Sequence, residues 1–324
     1  MKTKEKLLHI LETNKNLWVS GEEAAGMLSV SRTAVWKAVM SLRSEGYVID
    51  AVQNKGYRLT SEADELSELG IWKYLGPECR NLDIHLLTEV ESTNVLLRQK
   101  ADMGCPEGTV LIASKQTEGR GRHGRRFYSP ADTGIYMSLL LRPVKIDPEY
   151  SLRLTTIAAV AASETIELAS GKETLIKWVN DVFVENRKVC GILTEGSMNM
   201  ETGHLDSVVL GVGINVYEPE KGFPEDIKDI AGAVFDKAFT DGKNILAAGF
   251  LNRFMRYYLS GDYSGYITDY RKRCFVIGRK IEVIKQERVY KGTAVDVDEN
   301  CRLVVQYEDG TVERLSSGEI RLEI

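Results

Sequence analysis

Four arginines fall within seven residues, at 120, 122, 125 and 126, in the stretch Lys115-Gln-Thr-Glu-Gly-Arg-Gly-Arg-His-Gly-Arg-Arg126. The glycines between them would let backbone N–H groups approach phosphate oxygens, and the planar fork of arginine binds phosphate bidentately. An isolated charge run is usually a solvated loop with no ligand. Here arginine alternates with glycine directly after the apolar strand Thr109–Ser114, which favours an anion-binding loop. Gly119, Gly121 and Gly124 also fit G-x-G-x-x-G. A dinucleotide fingerprint needs a helix straight after the glycines, but Arg125-Arg-Phe-Tyr-Ser-Pro130 is a poor helix start and Gly134–Leu141 reads as another apolar strand. The element is therefore predicted to be strand, loop, strand.

Three further constellations follow the same logic. Thr174–Asp181 reads as a strand ending in Asn-Asp, followed by Val182–Val184, a turn over 185–188 and a return over Val189–Glu195. That hairpin would bring Lys177, Asn180, Asp181 and Lys188 together. Lys188 sits beside Gly191, where a ligand can approach closely. Taken alone it would pass for a surface lysine; in company it is a point charge able to follow a phosphoryl centre. Val208–Val216 is a buried strand in which Gly211 and Gly213 leave room on one side and Asn215 supplies a polar end. Glu91-Ser-Thr-Asn94 opens a helix; such side chains can bind a small polar group, and by pattern alone helix capping is their commoner role.

The elements that must carry these groups come in three segments, 1–64, 65–272 and 273–324. In the first, Leu7, Leu8, Ile10 and Leu11 give one helix an apolar face. Ser20-Gly-Glu-Glu23 has the form of a capping box. Ser31 can cap a third helix that runs to Glu45 and is stopped by Gly46. On that helix Val35, Ala38, Val39 and Leu42 gather on one side and Thr33, Trp36, Lys37, Met40 and Ser44 on the other. Strands over Tyr47–Asp50 and Tyr57–Leu59 would form a hairpin with Lys55 at its tip. This is the pattern of a winged helix-turn-helix, in which Ser31, Arg32, Thr33, Trp36 and Lys37 stand where such a helix reaches base edges. A small protein-binding helical domain would share much of the pattern, and Trp36 could instead be core. Residues 1–60 carry nine Lys/Arg against six acids, in a chain of formal net charge -5. Any nucleic-acid contact must therefore come from a local face.

No stretch approaches the roughly 20 apolar residues of a membrane span, and the charged N-terminus has no apolar h-region. Five cysteines, odd in number and never spaced as CxxC, argue for free thiols in a reducing cytoplasm. No Ser-His-Asp or Cys-His arrangement is evident. Beyond residue 273, short alternating strands (Ile281–Ile284, Tyr290–Val295, Leu303–Tyr307, Thr311–Leu315) with a hairpin turn at Asp309-Gly310 indicate a small β domain.

In their order, Glu91-Ser-Thr-Asn94, Gln116 with Gly119-Arg-Gly-Arg-His-Gly-Arg125, Lys177-Trp-Val-Asn-Asp181, Arg187-Lys188 with Gly191-Ile-Leu193, and Gly211-Val-Gly-Ile-Asn215 resemble the biotin–protein ligases. With a winged helix ahead of them, essentially the whole chain resembles the bifunctional bacterial kind that also represses the biotin operon. One departure is Val179, where the family usually has proline; valine is expected to continue the strand. The resemblance implies an α+β multidomain fold. It would comprise the winged helix-turn-helix, a central mixed-sheet domain of the biotin/lipoate ligase (class II synthetase-like) type, and a C-terminal SH3-like barrel. It implies ATP-dependent formation of biotinyl-5′-AMP with Mg²⁺ held on the substrate phosphates rather than at a dedicated protein site, then transfer to a lysine of the biotin carboxyl carrier protein. It places Ser92, Thr93, Asn94, Gln116, Arg120, Gly121 and Arg122 around biotin and the adenylate. Arg122 would retain the intermediate, Lys188 would neutralise the reacting charge, and Asn180, Asp181 and Asn215 would lie nearer nucleotide and metal. Operator DNA and a ligand-promoted homodimer are the further implied partners. A lipoate or octanoate ligase, and a biotin sensor without catalysis, are the competing readings. The arginine loop and the N-terminal domain speak against the first, and Arg122, Lys188 and Asn180-Asp181 together against the second.

Overall fold

A computed structural model of the chain describes residues 3–44, 47–60, 64–143, 148–198, 205–261, 264–285 and 288–322. It forms two compact units, Met1–Leu75 with Ala238–Ile245, and Gly76–Lys237 with Leu246–Ile324.

The first unit contains helices α1 (Thr3–Thr13), α2 (Gly21–Leu28) and α3 (Arg32–Ser44), strands β1 (Ile49–Val52) and β2 (Gly56–Leu59), and the short helix α4 (Glu68–Trp72). Leu7, Leu8 and Leu11 of α1 bury against Val35, Val39 and Leu42 of α3, closed over by Ile49 and Leu59. The capping box is present: Ser20 Oγ accepts from Glu23 N–H and the Glu23 carboxylate accepts from Ser20 N–H, each at 3.0 Å. Ser31 Oγ accepts from Ala34 N–H at 3.2 Å, as a cap of α3 should. The expected helix end at Glu45 and Gly46 lies outside the described residues. The wing begins two residues later than its sequence pattern indicates, at Ile49, and pairs Ile49 with Leu59 and Val52 with Gly56. Gly56 adopts φ +104°, and a Cβ there would meet the Val19 carbonyl oxygen at 2.1 Å, so the turn requires glycine.

A charged node lies under this unit. Lys15 Nζ donates to Asp241 Oδ1 at 2.6 Å, while Tyr74 Oη (2.8 Å) and Lys73 Nζ (3.3 Å) donate to Oδ2. The Asp241 side chain is 4% exposed. Burial pushes its pKa up, but the hydrogen bonds from Lys15 and Tyr74 and the charges of Lys15 and Lys73 outweigh it and hold the carboxyl below its usual value. A carboxylate with a depressed folded pKa stabilises the fold above its unfolded pKa and loses that contribution as pH falls through the folded one. The node should therefore weaken only in acid. Asp241→Asn tolerates the left-handed φ of 58° at this position but takes the shared carboxylate from Lys15 and Lys73, leaving Lys15 only the more distant Glu12 at 4.0 Å. It should destabilise the unit at neutral pH by about 3 kcal/mol, read as an earlier urea midpoint, and the deficit should shrink in acid.

The second unit is built on a seven-stranded sheet. Its strands are β3 (Asp83–Leu87), β4 (Thr109–Ala113), β5 (Gly134–Leu141), β6 (Leu175–Lys177), β7 (Asp181–Val184), β8 (Arg187–Met198) and β9 (Leu205–Asn215). The order is β3-β4-β5-β9-β8-β7-β6, with only β3 and β4 parallel. Helices α5 (Thr93–Asp102) and α6 (Pro148–Ser170) pack on it, and α7 (Gly242–Ser260) and α8 (Ser264–Arg273) follow. All eight residues of β5 are buried, as is Ile157–Ala162 of α6. The C-terminal strands β10 (Lys280–Lys285), β11 (Arg288–Val297), β12 (Leu303–Tyr307), β13 (Val312–Leu315) and β14 (Glu319–Leu322) form a five-stranded antiparallel sheet, ordered β13-β12-β11-β10-β14. The sequence pattern indicates only the first four; β14 is short and its outward residues are charged.

One expectation is corrected. The strand over Thr174–Asp181 does not run through Val179. It stops at Lys177, residues 178–180 turn, and β7 starts at Asp181, pairing Lys177 with Asp181 and Leu175 with Phe183. The Trp178–Val179 peptide bond is cis. Trp178 and Val179 are 4% and 2% exposed; apolar residues that read as strand are here the buried content of a turn.

Candidate functional site

A cavity of about 310 Å³ opens over the middle of the second unit's sheet. Its floor is bare because three strand positions carry no side chain. A Cβ at Gly213 would stand 2.5 Å from the Phe127 ring, one at Gly191 3.1 Å from the same ring, and one at Gly211 2.2 Å from Asn94 Oδ1. Phe127 thus lies over the two facing glycines of β8 and β9, edge-on to Tyr136 (centroids 6.3 Å apart). Neither aromatic is singled out by the sequence pattern. The nearest signal is the glycines, whose alignment across strands depends on register.

The N-terminus of α5 forms one wall. Ser92 is the N-cap residue, but its side chain makes no capping bond; it is 2% exposed and lines the cavity. Capping, the commoner role by pattern, is therefore not the one this hydroxyl plays. Thr93 and Asn94 are braced instead. Gln116 Oε1 accepts from Thr93 N–H at 2.9 Å, and Gln116 Nε2 donates to Ser129 Oγ at 3.0 Å. Asn94 Nδ2 donates to Leu193 O and to Glu195 Oε2 at 2.8 Å, and its Oδ1 accepts from Ser138 at 2.6 Å. Ser138 and Glu195 are braces that sequence reasoning missed.

The arginine loop is a strand-to-strand connector between β4 and β5, as predicted. It closes on itself through Gly121 N–H to Arg125 O (2.8 Å) and Phe127 N–H to Gly119 O (2.9 Å). Among its arginines only Arg122 is drawn in, donating to Asn180 Oδ1 at 3.3 Å. Burial lowers the Arg122 pKa against the pull of Asp181. Arg120 and Arg126 line the rim from exposed positions, and Arg125 pairs with Glu319 of β14.

The hairpin brings its predicted residues together. Lys188 Nζ sits 2.6 Å from Asp181 Oδ1. Lys177 faces the same carboxylate; burial first, then Lys188, lowers its pKa, while Asp181 works the other way. Asn180 is clamped on β8 by Nδ2 to Ile192 O and by its own carbonyl accepting from Ile192 N–H, both 3.0 Å. Asn215 closes the far end, donating to Gly232 O at 3.0 Å. Three cations, Arg122, Lys177 and Lys188, thus surround one carboxylate beside an apolar floor. This arrangement leaves positive charge for an anionic ligand with an apolar part. Among the described residues no three acids, histidines or cysteines converge as a metal site. The cavity's acids, Asp181 and Glu319, each face a cation.

In the first unit the outward face of α3 carries Arg32, Thr33, Trp36 and Lys37 together. Trp36 is 52% exposed, so it is not core. Arg32 pairs with Glu22 of α2. Lys55 stands at the wing tip 5.8 Å from the Trp18 ring, over which Arg58 also packs at 4.7 Å. Trp18 is a further residue that sequence reasoning missed.

The chain matches the Biotin/lipoate A/B protein ligase family over residues 87–215, an HTH domain over 3–58 and the Biotin protein ligase C terminal domain over 276–322. It is 34% identical over 323 residues to the bifunctional ligase/repressor BirA of Bacillus subtilis, covering 98% of this chain and 97% of that one. It is 30% identical to the biotin–[acetyl-CoA-carboxylase] ligase of Mycobacterium tuberculosis over 76% of this chain and 90% of that one. Among solved structures, the biotin protein ligase from Aquifex aeolicus in complex with biotin and ATP superposes with a TM-score of 0.63 at 26% identity, covering 74% of this chain and 99% of that one.

Proposed function

Because the chain belongs to the family of bifunctional biotin ligase/repressors, we propose that the cavity over the glycine floor is where biotin meets ATP and that the residues around it divide the work as follows. The protein is an ATP-dependent biotin ligase acting on the biotin carboxyl carrier protein, and a repressor that binds DNA through its helix-turn-helix. The family at 87–215 also includes lipoate ligases; the C-terminal match at 276–322 is to biotin protein ligases and favours biotin.

In the first step a biotin carboxylate oxygen bonds to the α-phosphorus of ATP and pyrophosphate leaves. In the second an acceptor lysine amine bonds to the acyl carbon and AMP leaves. Neither step needs a protein nucleophile; both need placed charge. The observation that carries the assignment is the cluster of Arg122, Lys177 and Lys188 about Asp181. Ser92 and the glycine floor take biotin, with Thr93, Asn94 and Gln116 holding that wall in shape. Lys188 neutralises the carboxylate and α-phosphate, and Arg122, with Arg120 and Gly121, closes over the adenylate. Asn180, Asp181 and Asn215 stand on the nucleotide side. Mg²⁺ suits this donor set only as an ion carried on the nucleotide's phosphates, with Asp181 as its one protein carboxylate. Its chemistry there is neutralisation of phosphate charge. Biotin-dependent exchange of pyrophosphate into ATP tests the assignment directly. Absence of exchange with biotin, or exchange driven equally by lipoate, would overturn it.

The three segments 1–64, 65–272 and 273–324 then serve DNA binding, catalysis and closure. The adenylate acts as corepressor by promoting a homodimer that presents two winged helices to a palindromic operator. The setting is cytoplasmic, in keeping with five free thiols; no described helix is long and apolar enough to cross a membrane. Ser31 holds the start of α3, Arg32, Thr33, Trp36 and Lys37 meet the major groove, and Lys55 meets phosphate from the wing. Arg32 must leave Glu22 to take part. Trp36→Ala removes a half-exposed ring and should leave the melting temperature unchanged. It should weaken operator binding about tenfold in a gel shift with biotin and ATP present, and unchanged binding would count against the assignment.

A further inference from the structure

The turn over 178–180 carries Asn180 and introduces Asp181; the sheet holds its Asn180 end through the two bonds to Ile192 but not Trp178 and Val179. It joins β6 to β7, and β6 is a three-residue strand at the end of the sheet, met on its outer side only by a bridge to Cys274 with Phe275 N–H donating to Ile176 O at 3.2 Å. The restraint on Trp178 and Val179 comes from elsewhere in the second unit. Tyr270, on α8 and fully buried, donates its hydroxyl to the Val179 carbonyl at 3.1 Å. Trp178 Nε1 donates to the Cys301 carbonyl, in the turn between β11 and β12, also at 3.1 Å. Cys301 is itself fixed: its sulfur lies 2.8 Å from Tyr266 Oη and 3.2 Å from Thr156 Oγ1, tying it to α8 and α6. Burial pushes the Tyr270 hydroxyl's pKa well up, so it remains a protonated donor.

We infer that Tyr270 and the Cys301 carbonyl are positioning groups for the nucleotide side of the site: they hold the 178–180 turn where Asn180 can receive Arg122 and Asp181 can receive Lys188. The consequence is specific. The C-terminal sheet supplies the carbonyl that anchors this turn, so its contribution to adenylate formation runs through Trp178 as well as through closure of the cavity. Loss of either anchor leaves a buried carbonyl or N–H without a partner at the 178–179 end of the turn, while the bonds to Ile192 still hold Asn180. The displaced groups are those facing ATP, while the biotin wall rests on α5, Gln116 and Ser138 and is untouched. The inference rests on the placement of Asn180 and Asp181 beside the nucleotide.

The test measures KM for ATP and for biotin separately, by pyrophosphate exchange in the full chain, for Tyr270→Phe, Asn180→Ala and Tyr257→Phe. The last removes a hydroxyl bonded to Glu164 elsewhere in the same unit and controls for general loosening. Tyr270→Phe should raise KM for ATP about tenfold, with biotin KM within about twofold of wild type. Asn180→Ala should shift in the same sense, and Tyr257→Phe in neither. If Asn180→Ala raises KM for ATP and Tyr270→Phe does not, the positioning role is wrong and the site assignment stands. If Asn180→Ala leaves it unchanged, the nucleotide side has been misplaced and the inference falls with it. Parallel rises in both constants, or an equal effect from Tyr257→Phe, would show loosened packing and overturn the inference.

Discussion

Replacing Lys188 by alanine should lower biotin-dependent pyrophosphate exchange by roughly 10²–10³-fold, the usual consequence of losing one preorganised charge at the reacting centre. Lys188 is the cation that the hairpin delivers to the midpoint of the site, with Nζ 2.6 Å from Asp181 Oδ1. In the empty site that pairing stores the ammonium in place. When two anions, a carboxylate and a triphosphate, must be brought together, the lysine is the mobile member that can follow charge as it moves to the leaving pyrophosphate. Its removal leaves Asp181 facing Lys177 alone on that side, so repulsion between the reactants is no longer offset. Biotin affinity should fall far less than exchange, because the glycine floor and the α5 wall do not depend on the lysine and only the carboxylate end loses its cation. Arginine should rescue poorly. The lysine tail lies against Gly191, 3.3 Å from where a Cβ there would stand, and a planar guanidinium does not reproduce its compact, mobile point charge. Equilibrium biotin binding measured beside exchange separates the two effects. Exchange within tenfold of wild type in the alanine variant would remove Lys188 from the chemistry.

What could be read from the chain beforehand follows how far apart the interacting residues are. The capping box at Ser20, the cap at Ser31 and the arginine loop each depend on neighbours within a few positions, and each is found where its local chemistry put it. Gly191 and Gly213 announce space, but what fills it does not show until the register pairs them and Phe127 lies across both. Lys177 stands in the same short segment as Asn180 and Asp181, so the hairpin pattern already grouped it with them, and the pairing of β6 with β7 sets it opposite Asp181. Val179 misleads because a β-branched apolar residue in an apolar run reads as strand. Its burial in a turn is decided by Tyr270, 91 positions away. Lys15 and Asp241 are separated by 226 positions, and no periodicity in either segment hints at their pairing.

Arg122→Gly should change not how fast the adenylate forms so much as how long it stays. The loop's own closure is made by backbone groups, Gly121 to Arg125 and Phe127 to Gly119, so removing one side chain leaves a loop of the same shape. What disappears is the single guanidinium turned inward, held at 3.3 Å by Asn180 and therefore already aimed where the adenylate's phosphate would lie. A forked, charge-assisted contact to phosphate contributes about 1.5–3 kcal/mol, which converts to roughly ten- to a hundredfold faster escape of a bound anhydride. Outside the site biotinyl-5′-AMP acylates any accessible amine. The variant should therefore biotinylate lysines of an unrelated protein supplied with biotin and ATP, on a streptavidin blot, while wild type labels only the carrier protein. Arg122→Lys should leak less than the glycine variant, since it restores charge without the fork. Escape depends on the retained contact and formation on Lys188, so the double variant Arg122→Gly, Lys188→Ala should label roughly 10²–10³-fold less than Arg122→Gly, because little anhydride forms to be released. A glycine variant whose label stays confined to the carrier protein would mean that retention lies in another part of the loop, with Arg120 at the rim as the next residue to replace.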